Sequence, residues 1–190
     1  MDALEIIDAF YPEDTPLRRL LLRHSEQVRG KALALMETPK VAAMGLNRQL
    51  ISDGCLLHDI GIFRCHAPSI LCMGTEPYLA HGIIGAALLR DYGRRHGLDL
   101  EGCARICERH TGAGLTAQDI AAEGLVIPVG DYVPETAEEQ LVCLADKFFS
   151  KSSPEREKSL ESIRRSMDRF GDGPRGRLEQ MCRRFGLIDG

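Results

Sequence analysis

Leu56-Leu57-His58-Asp59-Ile60-Gly61 is the stretch from which the fold can be read outward. A histidine and an aspartate stand side by side at the end of an apolar run, and a glycine follows where a helix would stop. Neighbouring residues on a helix point about 100° apart. His58 and Asp59 therefore approach a metal from different sides, which suits an imidazole on one ion and a carboxylate reaching between two.

The segment leading into this dipeptide is predicted to be one helix from about Val41 to Ile60, with Ile51, Cys55 and Leu56 inward and Gly61 as its stop. Before it, residues 2–10 form a short amphipathic start. Pro16, well suited to a first helical turn, then opens a helix with Leu17, Leu20, Leu21, His24 and Val28 on one face. After it, residues 62–78 hold two prolines and no clean period, which predicts a loop or broken helix over the His-Asp pair. Helix is expected again from about Leu79 to His96, with His81, Ile84, Gly85 and Leu88 on one stripe. A further helix over about 100–111 carries Cys103, Ile106, Cys107 and His110 at one-face spacing. A short helix near 116–123 and a Pro/Gly loop over 127–134 follow.

Thr136 and Glu139 form a capping-box pattern that opens the next helix. One face of that helix carries Leu141, Leu144, Ala145 and Phe148, and the adjoining one Val142, Asp146 and Phe149. The last two helices, about 154–170 and 174–186, are expected to bury Leu160, Ile163, Met167 and Phe170, then Leu178, Met181 and Phe185. No segment makes a convincing strand. The expectation is an all-α, single-domain helical bundle over residues 1–190.

Composition agrees with a packed core. Hydrophobic residues make up 44% of the 190, but Trp is absent and aromatics are 5%, so Leu, Ile, Ala and Val must fill the interior. No apolar run approaches the ~20 residues of a membrane span. Met1-Asp2-Ala3-Leu4-Glu5 lacks the basic and apolar regions of a signal peptide, so a cytoplasmic location is expected. Seven cysteines form no CxxC pair and read as structural thiols in a reducing compartment. Residues 1–150 carry 14 Lys+Arg against 21 Asp+Glu, a poor match to nucleic acid as main partner. Residues 151–190 carry 10 against 7.

A lone histidine on an apolar helical face is ordinarily a hydrogen-bonded core residue. Here three predicted helices each carry one, His24, His81 and His110, and His58 adds a fourth beside Asp59. Asp146 lies among apolar helical neighbours, where an unpartnered carboxylate is costly. Lys147 is a poor partner for it, because i, i+1 side chains do not face each other on a helix. His24, His58, Asp59 and Asp146 suffice for one ion, which leaves His81 and His110 surplus unless a second is bound. The division expected is His24, His58 and Asp146 on one ion, His81 and His110 on the other, and Asp59 bridging. Such mixed ligands suit Fe, Mn, Co, Ni or Zn better than Mg.

The order His24, His58-Asp59, Asp146 resembles the ligand order of the HD-domain superfamily of metal-dependent phosphohydrolases. His58-Asp59-Ile60-Gly61 has the form of its HDIG-type members. The additional His81 and His110 resemble the binuclear branch, which includes the symmetrical diadenosine tetraphosphate hydrolases. The runs His81–Leu89 (HGIIGAALL), Glu108–Thr116 (ERHTGAGLT), Pro134–Glu139 (PETAEE) and Ala145-Asp146-Lys147 are similar to small stand-alone HDIG proteins predicted to be hydrolases. The resemblance covers about residues 17–151 and leaves 152–190 as a C-terminal helical extension. The insert from Arg64-Cys65-His66 to Pro77 is longer and richer in cysteine than the family pattern.

The resemblance implies hydrolysis of a phosphoester or phosphoanhydride of nucleotide type, with a symmetrical dinucleoside polyphosphate as the alternative substrate. The ligand chemistry agrees: water shared by two divalent cations loses its proton near neutral pH, and the same cations neutralise phosphate oxygens. Asp59 would position that water. Lys147, Arg64, His66 and Arg109 are candidate contacts to the small phosphorylated substrate. His96, before Gly97, reads as a helix-end surface residue. A di-iron oxygenase or a non-catalytic nucleotide-binding regulatory module uses the same ligand types. A P-loop and a dinucleotide-binding glycine fingerprint are both absent.

Overall fold

The protein is described here from a computed structural model covering residues 2–153 and 156–189. The chain runs through α1 (Ala3–Phe10), α2 (Pro16–Met36), α3 (Pro39–Ala42) and α4 (Arg48–Leu57). A small sheet follows, of β1 (Cys65–Ala67), β2 (Cys72–Met73) and β3 (Glu76–Pro77). Then come α5 (His81–His96), α6 (Glu101–Arg109), α7 (Ala117–Glu123), α8 (Ala137–Asp146), α9 (Leu160–Met167) and α10 (Asp172–Arg184). The fold is helical, as expected, and no described helix is long and apolar enough to cross a membrane.

Local chemistry accounts for most boundaries. The Thr15 side chain accepts the Arg18 N–H and Pro16 fills the first position of α2. Thr116–Asp119 and Thr136–Glu139 both close capping boxes, opening α7 and α8. Gly97 takes φ +67 and ends α5.

α4 is the central strut: it lies along α2 and also meets α1, α6 and α8, while α5 lies along α6. Two hydrophobic clusters result. One joins Ile7, Leu21, Leu57, Ile60, Leu89 and Cys107; the other joins Val28, Leu141, Leu144, Ile163, Leu178 and Phe185. On α2, His24 falls between Leu21 of the first cluster and Val28 of the second.

Several expectations need correction. The single helix over 41–60 is two: α3 stops at Ala42, Gly45 adopts φ +63, and Asn47 caps α4 by accepting the Leu50 N–H at 3.0 Å. α4 itself ends at Leu57, and Gly61 is not a left-handed helix stop. Its role is steric: a Cβ there would overlap the His81 carbonyl oxygen and stand 2.6 Å from Gly85 N. The segment after it does contain strands, with β1 antiparallel to β2 and parallel to β3. Prolines at 68 and 77 forbid a continuous helix, so the backbone groups pair across the segment instead. Gly85 is buried on α5, but its buried stripe continues through Ala86 and Leu89, not Ile84 and Leu88. Leu160 is only half-buried and Phe170 is exposed, whereas Ile163, Met167, Leu178, Met181 and Phe185 are buried. The expected helix from 154 begins at Leu160, and residues 154 and 155 lie outside the described residues.

Candidate metal centre

Five of the six predicted ligands sit at helix ends. His58 caps α4 and Asp59 follows it, His81 is the first residue of α5, His110 caps α6, and Asp146 is the last residue of α8; His24 alone is mid-helix. All six are buried, between 0% exposed for His58 and Asp59 and 9% for Asp146.

Three of the rings are aimed by backbone carbonyls three residues earlier. Nδ1 of His58 donates to Cys55 O at 2.7 Å, His110 to Cys107 O at 2.7 Å, and His81 to Tyr78 O at 2.6 Å. For His58 and His110 these are last-turn carbonyls, where helical donors run out. A carbonyl only accepts, so the neutral ring must carry its proton on Nδ1 and present a bare Nε2 inward. Ligating histidines are commonly oriented in this way.

The inward atoms fall into two sets that meet at one carboxylate. Asp59 Oδ2 stands 3.3 Å from His24 Nε2 and 3.2 Å from His58 Nε2. Asp146 Oδ1 completes this set, 2.9 Å from His24 Nε2 and 3.6 Å from His58 Nε2, and the two Nε2 atoms are 3.4 Å apart. Asp59 Oδ1 faces the other way, 3.3 Å from His81 Nε2 and 3.4 Å from His110 Nε2, which are 3.0 Å from each other.

These donors fit a cation. Atoms held about 2.1 Å from one ion, with 90–109° between them, stand roughly 3.0–3.4 Å apart, close to the spacings in both sets. Two bare imidazole nitrogens facing each other at 3.0 Å repel unless a proton or cation lies between them. Among the described residues, neither oxygen of the fully buried Asp59 receives a well-directed hydrogen bond, and Lys151 meets Oδ2 as an ion pair.

Electrostatics hold most of the set in ligand form. Burial opposes ionisation of Asp59, but His58 and Lys151 outweigh it and hold its pKa well below the usual carboxylate range. Asp146 is held low against burial by Lys147 and His24. Burial pushes His110 down to about 3 and also lowers His24. His58 is the exception: burial disfavours its charge, yet Asp59 and Asp146 raise it to about 9, so a metal binding there must displace a proton.

A cavity of about 490 Å³ opens over His24 and Asp146, with Lys147, Lys151, Lys158 and Arg169 in its walls and Ser69, Ser150, Ser152 and Ser166 between them. Lys147 lies in this wall, and it pairs with Asp146 at 2.8 Å, contrary to the expectation that it is a poor partner for that carboxylate. Lys147 is the C-cap of α8, at the point where the helix ends, and its Nζ also donates to His110 O at 3.1 Å. Arg64, His66 and Arg109 are not in the wall. Arg64 and His66 are exposed, Arg64 over the Phe63 ring and His66 against Gly74 O. Arg109 donates to Val133 O and pairs with Glu135, each at 2.9 Å, holding the loop before α8. Lys151, which the sequence reading missed, stands 2.6 Å from Asp59 Oδ2. No local signal marks it: a lysine among serines has no period and no cap role. His96 is exposed and stacks on Tyr92.

The HD-domain family model matches residues 21–150, the stretch that carries all four histidines and both aspartates of this buried centre. The chain belongs to the HD-domain family, the superfamily of metal-dependent hydrolases that the His-Asp motif resembles. An uncharacterized protein of Methanocaldococcus jannaschii is 36% identical over 66% of this chain and 68% of its own length. The tRNA (cytidine(56)-2'-O)-methyltransferases of Picrophilus torridus and Thermoplasma volcanium are 36% and 32% identical, over 69% and 68% of this chain. The chain spans about a third of the length of each methyltransferase, the match covering 32% of both. The crystal structure of the HD domain of the L. monocytogenes phosphodiesterase PgpH aligns with a TM-score of 0.48 and 16% identity, covering 94% of this chain and 99% of that one.

Proposed function

We propose that this chain is a phosphohydrolase using two divalent transition-metal ions to cleave a phosphoester or phosphoanhydride of nucleotide type. The observation that carries this is the division of Asp59, whose Oδ2 faces His24, His58 and Asp146 and whose Oδ1 faces His81 and His110. His24, His58 and Asp146 would hold one ion, His81 and His110 the other, with Asp59 shared. Ions of this kind supply an acidified water and charge neutralisation at the phosphate. Fe, Mn, Co, Ni and Zn all suit the donors.

The chain's own groups serve the rest of the reaction. The carbonyls of Cys55, Tyr78 and Cys107 keep three Nε2 atoms aimed inward. Lys147 and Lys151, in the walls of the cavity, would neutralise phosphate oxygens arriving over Asp146 and Asp59. A symmetrical dinucleoside polyphosphate is the alternative substrate within this chemistry.

The test is elemental analysis of the purified protein together with a screen of phosphomonoesters, phosphodiesters and dinucleoside polyphosphates. Two metal ions per chain are expected, with hydrolysis lost together with metal in His58→Ala and Asp59→Ala. Full metal occupancy in either variant would refute the ligand assignment. One ion per chain, unchanged by His81→Ala, would refute the second site. A tRNA-linked role is the second reading, favoured by the names of two relatives. The acidic balance of residues 1–150 opposes it, and tRNA binding in a filter assay is its test.

A further inference from the structure

The cavity over His24 and Asp146 has two kinds of cation in its walls. Lys147 and Lys151 are each committed to a buried carboxylate, Asp146 and Asp59 respectively. Lys158 and Arg169 are not: among the described residues, Lys158 Nζ donates only to Phe149 O at 3.2 Å, and Arg169 lies over the Phe170 ring. The contrast within the C-terminal helices is sharp. Arg164, Arg165, Arg175, Arg177 and Arg183 each pair with a carboxylate and Arg184 bonds the Gln140 amide oxygen, whereas Arg169, between α9 and α10 and lining the cavity, has no carboxylate or amide partner among the described residues. Among the described residues Asp146 is the one carboxylate in the lining, and Ser152 and Ser166 add hydroxyls to it. Burial lowers the pKa of Lys158; the Asp146 charge raises it but does not offset burial and the neighbouring cations Lys147, Lys151 and Arg169.

Lys158, Arg169, Ser152 and Ser166 all lie beyond the stretch that matches the family model, which ends at residue 150. The matched part brings the ligands and Lys147; the segment after it brings Lys151, paired with Asp59, and then Lys158 and Arg169, which face no carboxylate at contact distance among the described residues.

The geometry points to a second anion subsite, built by Lys158 and Arg169 with Ser152 and Ser166, that takes a phosphoryl group other than the one at the metal centre. It deepens the phosphohydrolase reading, on which it rests, and narrows the substrate class to compounds carrying at least two phosphoryl groups. A cavity of about 490 Å³ is ample for such a compound. A monophosphate would leave the two cations without a counter-charge. A second phosphate gives each of them a charge-assisted hydrogen bond, a contact that contributes roughly tenfold or more in affinity.

The experiment is calorimetric titration of the metal-loaded protein, with manganese in excess, using AMP and ATP as probes so that base and sugar are held constant. The wild type is expected to bind ATP at least about tenfold more tightly than AMP. Lys158→Gln/Arg169→Gln should lose most of that preference, its ATP affinity falling more than its AMP affinity. Arg165→Gln, which removes an exposed and paired charge from α9, between the two positions in sequence, should keep the preference. Equal binding of the two probes by the wild type, or an unchanged preference in the double variant, overturns the subsite and leaves the metal centre standing. If the protein takes up no metal, or the loaded protein binds neither probe, the phosphohydrolase reading fails and the subsite falls with it.

Discussion

Gly82→Ala tests how the second half of the centre is held together. A Cβ at residue 82 would stand 2.5 Å from the Cys107 carbonyl oxygen, and 3.5 Å from both the Cys107 carbonyl carbon and Glu108 O. Carbon–oxygen contacts close at about 3.3 Å, so α5 must retreat from α6 by roughly 0.8 Å. That carbonyl is also the acceptor that fixes the His110 ring, 2.7 Å from its Nδ1, and the neighbouring residue is His81. The added methyl therefore pushes between the two imidazoles whose Nε2 atoms stand 3.0 Å apart.

Overpacking of this kind costs about 1–3 kcal/mol. At about 2–4 °C per kcal/mol for a chain of this length, Tm should fall by roughly 2–12 °C. On the two-ion reading proposed above, metal content should fall from two ions toward one, because His24, His58 and Asp146 are not on the displaced face. Hydrolysis should drop on the order of a hundredfold, as expected for a misplacement near 1 Å. The measurements are differential scanning calorimetry, elemental analysis and steady-state rates on the same preparation. A variant with unchanged Tm and two bound ions would refute the argument that the α5–α6 contact sets the imidazole spacing.

Tyr11→Phe removes a buried hydroxyl that donates to Ile60 O at 2.9 Å and accepts the Phe63 N–H at 3.3 Å, leaving both without it. About 1–3 kcal/mol of stability should be lost, read as a lower urea midpoint at unchanged slope. Asp119 is held below the usual carboxylate range: partial burial opposes this, but its Thr116 contacts and Arg177 outweigh it. Its contribution is thus complete above the unfolded-state value near 4 and is lost as pH falls through the lower folded value. Asp119→Ala should therefore lower stability at pH 7 and flatten its acid decline; denaturation curves at pH 3 to 7 with identical slopes for both proteins would contradict this. All seven cysteines are buried and free, and burial raises their pKa, to about 11 for Cys65, Cys72, Cys143 and Cys182. Native protein at pH 8 should react with almost no Ellman's reagent and denatured protein with seven equivalents, whereas fast native labelling would mean a thiol is accessible.

Much of this molecule is written locally. The start of α2 at Pro16, the Thr136–Glu139 box and the buried run of Cys103, Ile106 and Cys107 follow from signals contained within one or two helical turns. Those signals act at the same short range in the unfolded chain as in the folded one, so a sequence reading captures them. The break between α3 and α4 was legible too, in Gly45 and Asn47, but the apolar period running across it hid the stop. The strands around Cys65 carry no such mark, since two- and three-residue pairings are made by whatever backbone lies opposite.

By itself, the sequence determined which side chains are available to the centre, His24, His58, Asp59, His81, His110 and Asp146, and the apolar faces that carry most of them inward. Only the tertiary structure decided how Asp59 divides its oxygens, that Lys147 pairs with Asp146, and that Lys151 reaches Asp59 while Arg64, His66 and Arg109 do not reach the cavity. The physical reason is range. A helical period aims a side chain at the core, but which atoms meet there depends on the crossings of α2, α4, α5, α6 and α8. For a flexible lysine or arginine it also depends on the nearest unpaired carboxylate or carbonyl, a partner that exists only once those helices have packed.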